Sequence, residues 1–351
     1  MNEPKLEIVS LPKLGYVKRK GITVSQEGPI KVGCLPCGKS IPLVVQPAVD
    51  GVNLVDWASS NRDFIETLLL KHRALLFRNF NVKALVEFEQ FVKATSNGEL
   101  LEYRDRSTPR TTQGNRIYTS TVHPADQRIN LHNEGTYWLK WPSKIYFCCL
   151  SVSQQGGETP IADVRKVYQR IHPEIRDQFI EKKMMLVRNY NDGFGLTWQD
   201  VYQTNDRTEV EKYCRNNLIE FEWKDGERLR THQIRPAVQK HPQTGELLWF
   251  NHAAFFHYTT LEANIREVLL SEFNEDGLPY NTYYGDGTAI KPTDIEHICQ
   301  AYEQEKVVFT WLQGDILMLD NMSIAHGREA YIGERQVIVA MSEPFIGSDN
   351  L

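Results

Sequence analysis

The stretch Asn130–Thr136, NLHNEGT, sets an imidazole and a carboxylate two residues apart, His132 and Glu134, and a further imidazole, His326, follows 192 residues after Glu134. In an extended chain, residues i and i+2 point to the same side, so His132 and Glu134 can meet one point while Asn133 turns away. If His326 joins them, the two ends of the core must come together and everything between must be looped out. Two nitrogens and one oxygen on one face of a metal leave the opposite face open, the donor set of the facial triad of non-haem Fe(II) oxygenases. An H-x-E pair alone arises often by chance, so its company has to decide.

The order of elements is compatible with such a loop-out. Residues 1–50 are rich in Gly, Pro and Val, which predicts an arm of short strands packed on a core domain spanning 51–351. Helical spacing predicts helices at 61–70 and 84–94, with a buried strand at 72–77 between them. Residues 102–116 are polar, carry Arg104, Arg106 and Arg110, and suit either a lid or a solvated linker. A continuous apolar run at 144–150 predicts a fully buried strand, and a Gly-rich turn leads to Asp163 as a helix N-cap. Helices are expected at 164–171, 173–181, 206–216, 261–273 and 293–305, with extended segments at 231–238 and 247–251. The end reads as strand throughout: 307–311, 315–320, 324–326 and 336–341. Strands clustered at both ends, with helices between, predict a mainly β architecture with helical cover (α+β), a double-sheet jelly roll with helical insertions.

Other classes are excluded by charge and hydropathy. A net charge of -5 and a pI near 6.1 give no footprint for nucleic acid or an anionic membrane. No apolar run approaches the roughly 20 residues that cross a bilayer, and residues 1–20 lack the apolar core of a signal peptide, so a cytoplasmic location is expected. Six cysteines in a chain this long are no disulfide scaffold. Cys148 and Cys149 fall in the apolar run and read as buried thiols. Cys34 and Cys37 have metal or redox spacing without a second pair, so a turn with free thiols is expected.

The open face of such a triad accommodates 2-oxoglutarate, chelated through its 1-carboxylate and 2-keto oxygen. Its far carboxylate then needs a buried cation, best a guanidinium that binds in two parallel bonds. Arg335 lies nine residues beyond His326, and a hairpin through 331–334 would fold it back beside that histidine. Arg328, two residues from His326, competes for the role. Thr159, in GGETP, offers a hydroxyl to the same carboxylate or, equally, to its own turn.

Together H-x-E, GGETPIAD, WLQGDILMLDNMSIAHGR and the following G-x-R resemble the TauD/TfdA-type Fe(II)/2-oxoglutarate-dependent dioxygenases, with the SyrP-like group as the most similar branch. The resemblance spans Leu75 to Pro344. It implies a distorted double-stranded β-helix, with His132, Glu134 and His326 as iron ligands and Thr159 and Arg335 as 2-oxoglutarate contacts. It further implies O2 as co-substrate and hydroxylation of an unactivated C–H of an amino acid, or of an aminoacyl group tethered to a carrier protein, with release of succinate and CO2. Desaturation or cyclisation, or binding without turnover, are the rival outcomes for the same pocket. Glu134 replaces the more common Asp of the family, and Ala340 occupies the position where some members carry the arginine. Retention of a carboxylate argues against a halogenase. For the substrate, Arg230, His232 and Arg235 in RLRTHQIRP, Asn251 and His252 in WFNHAAFFH, and the loop arginine Arg104 are the candidates, against a reading of both strands as ordinary packed surface.

Overall fold

The computed structural model describes residues 28–35, 40–98, 100–102, 105, 112–114, 116–119, 123–191 and 193–347. Its centre is the apolar run anticipated at 144–150, which forms the strand Trp141–Ser151. Ile316–Asp320 pairs antiparallel with one edge of this strand and Gln336–Phe345 with the other, Cys148 facing Ile316 and Ile338. Further strands extend this major sheet to eight, ending at Ile30–Cys34 on one side and Thr112–Gly114 on the other. Leu43–Pro47 runs parallel to Ala74–Phe77, joining the described part of the N-terminal segment to the sheet.

Because side chains alternate along a strand, each face of the major sheet has its own core. Tyr146, Cys148, Met318 and Ile338 pack with Phe77, Phe88 and Phe91 under the helices Arg62–His72 and Leu85–Thr95. Phe147, Cys149, Leu317 and Val339 point the other way and pack with Ile161, Ile324 and Ala325. These last three belong to a minor sheet in which Ile324–Arg328 is flanked by Ile129–His132 and Ile161–Asp163. Two facing sheets with helices outside are the expected jelly-roll arrangement, and among the described residues they do not close into a barrel.

The segment between the two ends holds more sheet than its sequence suggests. Met184–Tyr190 pairs with Leu229–Arg235 and Tyr280–Tyr284, and Glu220–Trp223 completes a four-stranded antiparallel sheet. Met184–Tyr190 is nearly all buried, so it lacks the alternation that reveals a half-exposed strand. Conversely, the strand expected at 307–311 is limited to one bridge, Val307 to Ile161. Val307, Phe309 and Trp311 are buried while Val308 is exposed; the alternating pattern reflects one-sided packing of an extended segment without a ladder partner. Asp163 caps the helix Val164–Arg170 by accepting from the Arg165 N–H, as anticipated. No helix among the described residues is long and apolar enough to cross a membrane. Cys34, Cys148 and Cys149 are free, the last two buried; Cys37 lies outside the described residues.

Candidate functional site

The minor sheet puts His132 and His326 directly opposite one another as register partners on adjacent antiparallel strands. Their ring centroids are 4.5 Å apart. The chain then turns after Glu134 through Gly135, which sits at φ +70, where a Cβ would lie 2.4 Å from Trp138 Cε3. That position therefore requires glycine. One ligand-capable atom from each of His132, Glu134 and His326 lies within 4.8 Å of the others. Glu134 and His326 are each only 4% exposed.

The donor set suits a ferrous ion. His132 Nδ1 faces the Asn130 carbonyl at 2.8 Å; since a carbonyl only accepts, Nδ1 carries the proton and Nε2 keeps its lone pair. Phe147 packs on His326 and Phe255 on His132, with centroids 4.9 and 4.5 Å apart, so the imidazoles are held by apolar walls. Three such donors could hold one metal and leave other coordination positions open.

Two cavities meet at these residues. The smaller, 30 Å³, lies between the sheets and is lined by His132, His326, Thr159, Arg328, Arg335 and neighbouring apolar side chains. Arg335 Nε donates to the Gly157 carbonyl at 2.8 Å, and Trp311 Nε1 donates to Thr159 Oγ1 at 3.1 Å. Arg335 Nη2 also approaches Thr159 Oγ1, at 3.5 Å. Gly157, at φ +76, leaves room for the arginine stem, since a Cβ there would be 2.9 Å from Arg335 Cδ. Burial, reinforced by the neighbouring Arg328 charge, lowers the Arg335 pKa to about 10. The guanidinium remains charged at neutral pH, and burial makes an anionic partner there favourable. Arg328 points its guanidinium at the carbonyls of His123, Pro124 and Gln127. Its bonds tie down a loop, whereas Arg335 approaches the Thr159 hydroxyl on the cavity wall.

The larger cavity, 430 Å³, opens on the other side of His132 and Glu134, between the minor sheet and the insertion. His252 is on its wall, paired through Nδ1 with the Thr136 hydroxyl and stacked on Phe256. Burial, and then the nearby His132, hold the His252 pKa well below the usual histidine value, so it is neutral. Asn251 is elsewhere: its Nδ2 donates to the Ala237 carbonyl and its Oδ1 accepts the Ala253 N–H. Arg235 is also elsewhere, buried with its donors on the carbonyls of Tyr137, Ile234, Leu218 and Asn217. Arg230 pairs with Asp276 beside His232. Arg104, Arg106 and Arg110 lie outside the described residues.

Two arginines line the large cavity, the exposed Arg128 and the buried Arg188; sequence reasoning missed Arg188. It sits in the central strand of the insertion sheet, is 8% exposed and pairs with the buried Asp105. Its guanidinium lies 5.0 Å from the Tyr190 ring centre. The only sequence signal was a charged residue inside the run MMLVRNY. Phe255, packed on His132 at the cavity wall, was equally unread.

A model of the family described as taurine catabolism dioxygenase TauD, TfdA matches residues 38–341. The dapdiamide synthesis protein DdaC of Enterobacter agglomerans is 38% identical over 311 residues, covering 86% of this chain and 94% of its own. A clavaminate synthase-like protein of Arabidopsis thaliana is 28% identical over 319 residues, covering 87% and 91%. Among solved structures, PvcB from Pseudomonas aeruginosa gives a TM-score of 0.55 at 13% identity, covering 91% of this chain and 93% of that one. A taurine dioxygenase from Burkholderia xenovorans gives 0.51 at 16% identity, covering 92% and 93%. At these identities the solved structures speak for the fold.

Proposed function

This chain belongs to the taurine catabolism dioxygenase TauD, TfdA family, and from that premise we propose that it hydroxylates an unactivated C–H of an amino acid, or of an aminoacyl group tethered to a carrier protein, in the making of a secondary metabolite. It is an oxygenase of the Fe(II)/2-oxoglutarate class, with O2 as the other co-substrate. The observation that carries the reading is the meeting of His132, Glu134 and His326 between two unlike cavities, one of which contains Arg335.

In this reading the two neutral imidazoles and the ionised Glu134 hold iron. When bound, iron couples the oxidative decarboxylation of 2-oxoglutarate, to succinate and CO2, with hydroxylation of the substrate. Arg335 takes the far carboxylate of 2-oxoglutarate, and Thr159 adds its hydroxyl, already oriented by Trp311. Phe147 and Phe255 keep water from the flanks of the imidazoles. Arg188, held by Asp105 on a rigid strand, lines the cavity as a positively charged, hydrogen-bonding wall for a polar substrate, and His252 offers a neutral polar contact beside Glu134. A volume of 430 Å³ falls in the ~300–1,000 Å³ range of small-molecule sites. Biosynthetic use is supported by the relatives: one is a dapdiamide synthesis protein, and PvcB is described as an oxygenase from an isonitrile synthetic pathway.

Anaerobic Fe(II) and 2-oxoglutarate should together give a weak visible charge-transfer band that is absent from the His132→Ala, Glu134→Ala double variant. A parent protein that shows no band and takes up zinc tightly instead would refute the proposal. Succinate release against free amino acids and aminoacylated carrier proteins then tests the substrate class.

A further inference from the structure

Asn321 is fully buried in the turn that precedes the strand carrying His326. Its side chain reaches across 187 residues of sequence to the other half of the site. Oδ1 accepts the Glu134 N–H at 2.8 Å, and Nδ2 donates to the Glu134 carbonyl at 2.9 Å and to the Pro142 carbonyl at 2.8 Å. Both amide hydrogens are thereby used. The Asn321 main chain joins in, its carbonyl accepting Asn133 Nδ2 at 2.7 Å.

The turn itself is stiffly built. Asp320 Oδ1 accepts the N–H groups of Met322 and Ser323, at 3.1 and 3.3 Å. Its Oδ2 accepts the Ser323 hydroxyl at 2.7 Å and pairs with Arg73 and His241. One short segment therefore carries His326 covalently and grips the peptide of Glu134 at both its N–H and its carbonyl.

We propose that Asn321 is a positioning residue for the Glu134 carboxylate, fixing it relative to His326 before the metal arrives. The proposal rests on the reading that His132, Glu134 and His326 hold Fe(II). Asn321 touches none of the ligating atoms; it acts through the Glu134 main chain. Outer partners of this kind typically change metal affinity by about 10–100-fold when removed.

The test measures anaerobic Fe(II) affinity by competition with a colorimetric ferrous chelator, alongside the unfolding midpoint of the metal-free protein. Asn321→Ala should bind Fe(II) about 10–100-fold more weakly than the parent. Asn133→Ala removes the bond to the Asn321 carbonyl and leaves Glu134 gripped, so it should lose stability while Fe(II) affinity stays within about threefold of the parent. Should Asn321→Ala fail to fold, the isosteric Asn321→Asp serves, since it keeps the acceptor for the Glu134 N–H and loses both donors. Parent-like affinity in a folded Asn321 variant would overturn the proposal, as would equal affinity losses in the Asn133 and Asn321 variants. Failure of both Asn321 variants to fold assigns the residue to folding alone and also overturns it. A parent that binds no Fe(II) would sink the functional reading itself, which separates the two failures.

Discussion

The two cavities beside His132 are built from different parts of the chain and to different standards. The small one lies between the jelly-roll sheets, walled by Phe147, Val337 and Val339 from the major sheet and by Thr159, His326 and Arg328 on the minor side. The large one takes much of its wall from the insertion: Arg188, Tyr190, His252, Phe255 and Tyr280. A co-substrate that never changes suits a site made from the rigid core. A substrate that differs between related enzymes suits a site made from an insertion that can be rebuilt without disturbing the core. Under the proposed function, co-substrate and substrate thus fall to different parts of the chain.

Four measurements would break or sharpen this contrast. The largest effect is expected at the three proposed metal donors between the cavities: His132→Ala or Glu134→Ala should abolish Fe(II) binding and every 2-oxoglutarate-dependent signal. Next, Arg335→Ala should weaken 2-oxoglutarate by about 100-fold, the cost of leaving a buried carboxylate without its cation, while Fe(II) affinity holds. Titration of the visible band gives both constants. Arg328→Ala, whose bonds go to carbonyls, should lower stability and leave 2-oxoglutarate affinity nearly unchanged, and the reverse pattern would exchange the two roles.

The third concerns pH. Burial lowers the His257 pKa from 6.5 to about 4, on the insertion side of the molecule. The unfolded chain takes up that proton first, so this contribution is intact above pH 6.5 and is lost as pH falls toward 4. At pH 5 the loss should be about 2 kcal/mol, and His257→Asn should show a flatter profile of unfolding free energy between pH 7 and 5. Equal slopes in the two proteins would remove His257 of the insertion as the acid-sensitive element. The smallest effect is expected for Arg188→Gln: about a 10-fold loss in substrate-stimulated succinate release at limiting substrate, with 2-oxoglutarate affinity unchanged. A drop in 2-oxoglutarate affinity there would show that the two cavities are not independent.

What the sequence revealed follows the same boundary. The small cavity could be read because its residues stand in short, ordered motifs: GGETP supplies Thr159, and Arg335 does return beside His326, though not through the expected hairpin, since Ile324–Arg328 pairs within the minor sheet and Gln336–Phe345 within the major one. The convergence of His132, Glu134 and His326 was legible because strands cluster at both ends of the core, although the direct register pairing of the two histidines was not. The large cavity was not legible. Arg188 sits in a strand buried on both faces, which hides its period, and nothing local distinguishes a cavity arginine from Arg235, the last residue of the neighbouring strand Leu229–Arg235 and committed to carbonyls. Asn251 and His252 are adjacent, yet one holds a loop and the other faces the cavity, a difference set by partners far away in the chain. Asn321 was visible inside the motif, but its bonds to Glu134 depend on a fold that sequence spacing alone does not describe.

The opposition of His132 and His326 across one pair of antiparallel strands has a consequence for biosynthesis. A ribosome making this chain exposes His132 and Glu134 long before the partner histidine, so the emerging polypeptide has only a two-donor clip for most of its synthesis. Under the proposed function, iron capture then waits for residue 326, and a product truncated before it lacks the third donor whatever the quality of the rest of its fold.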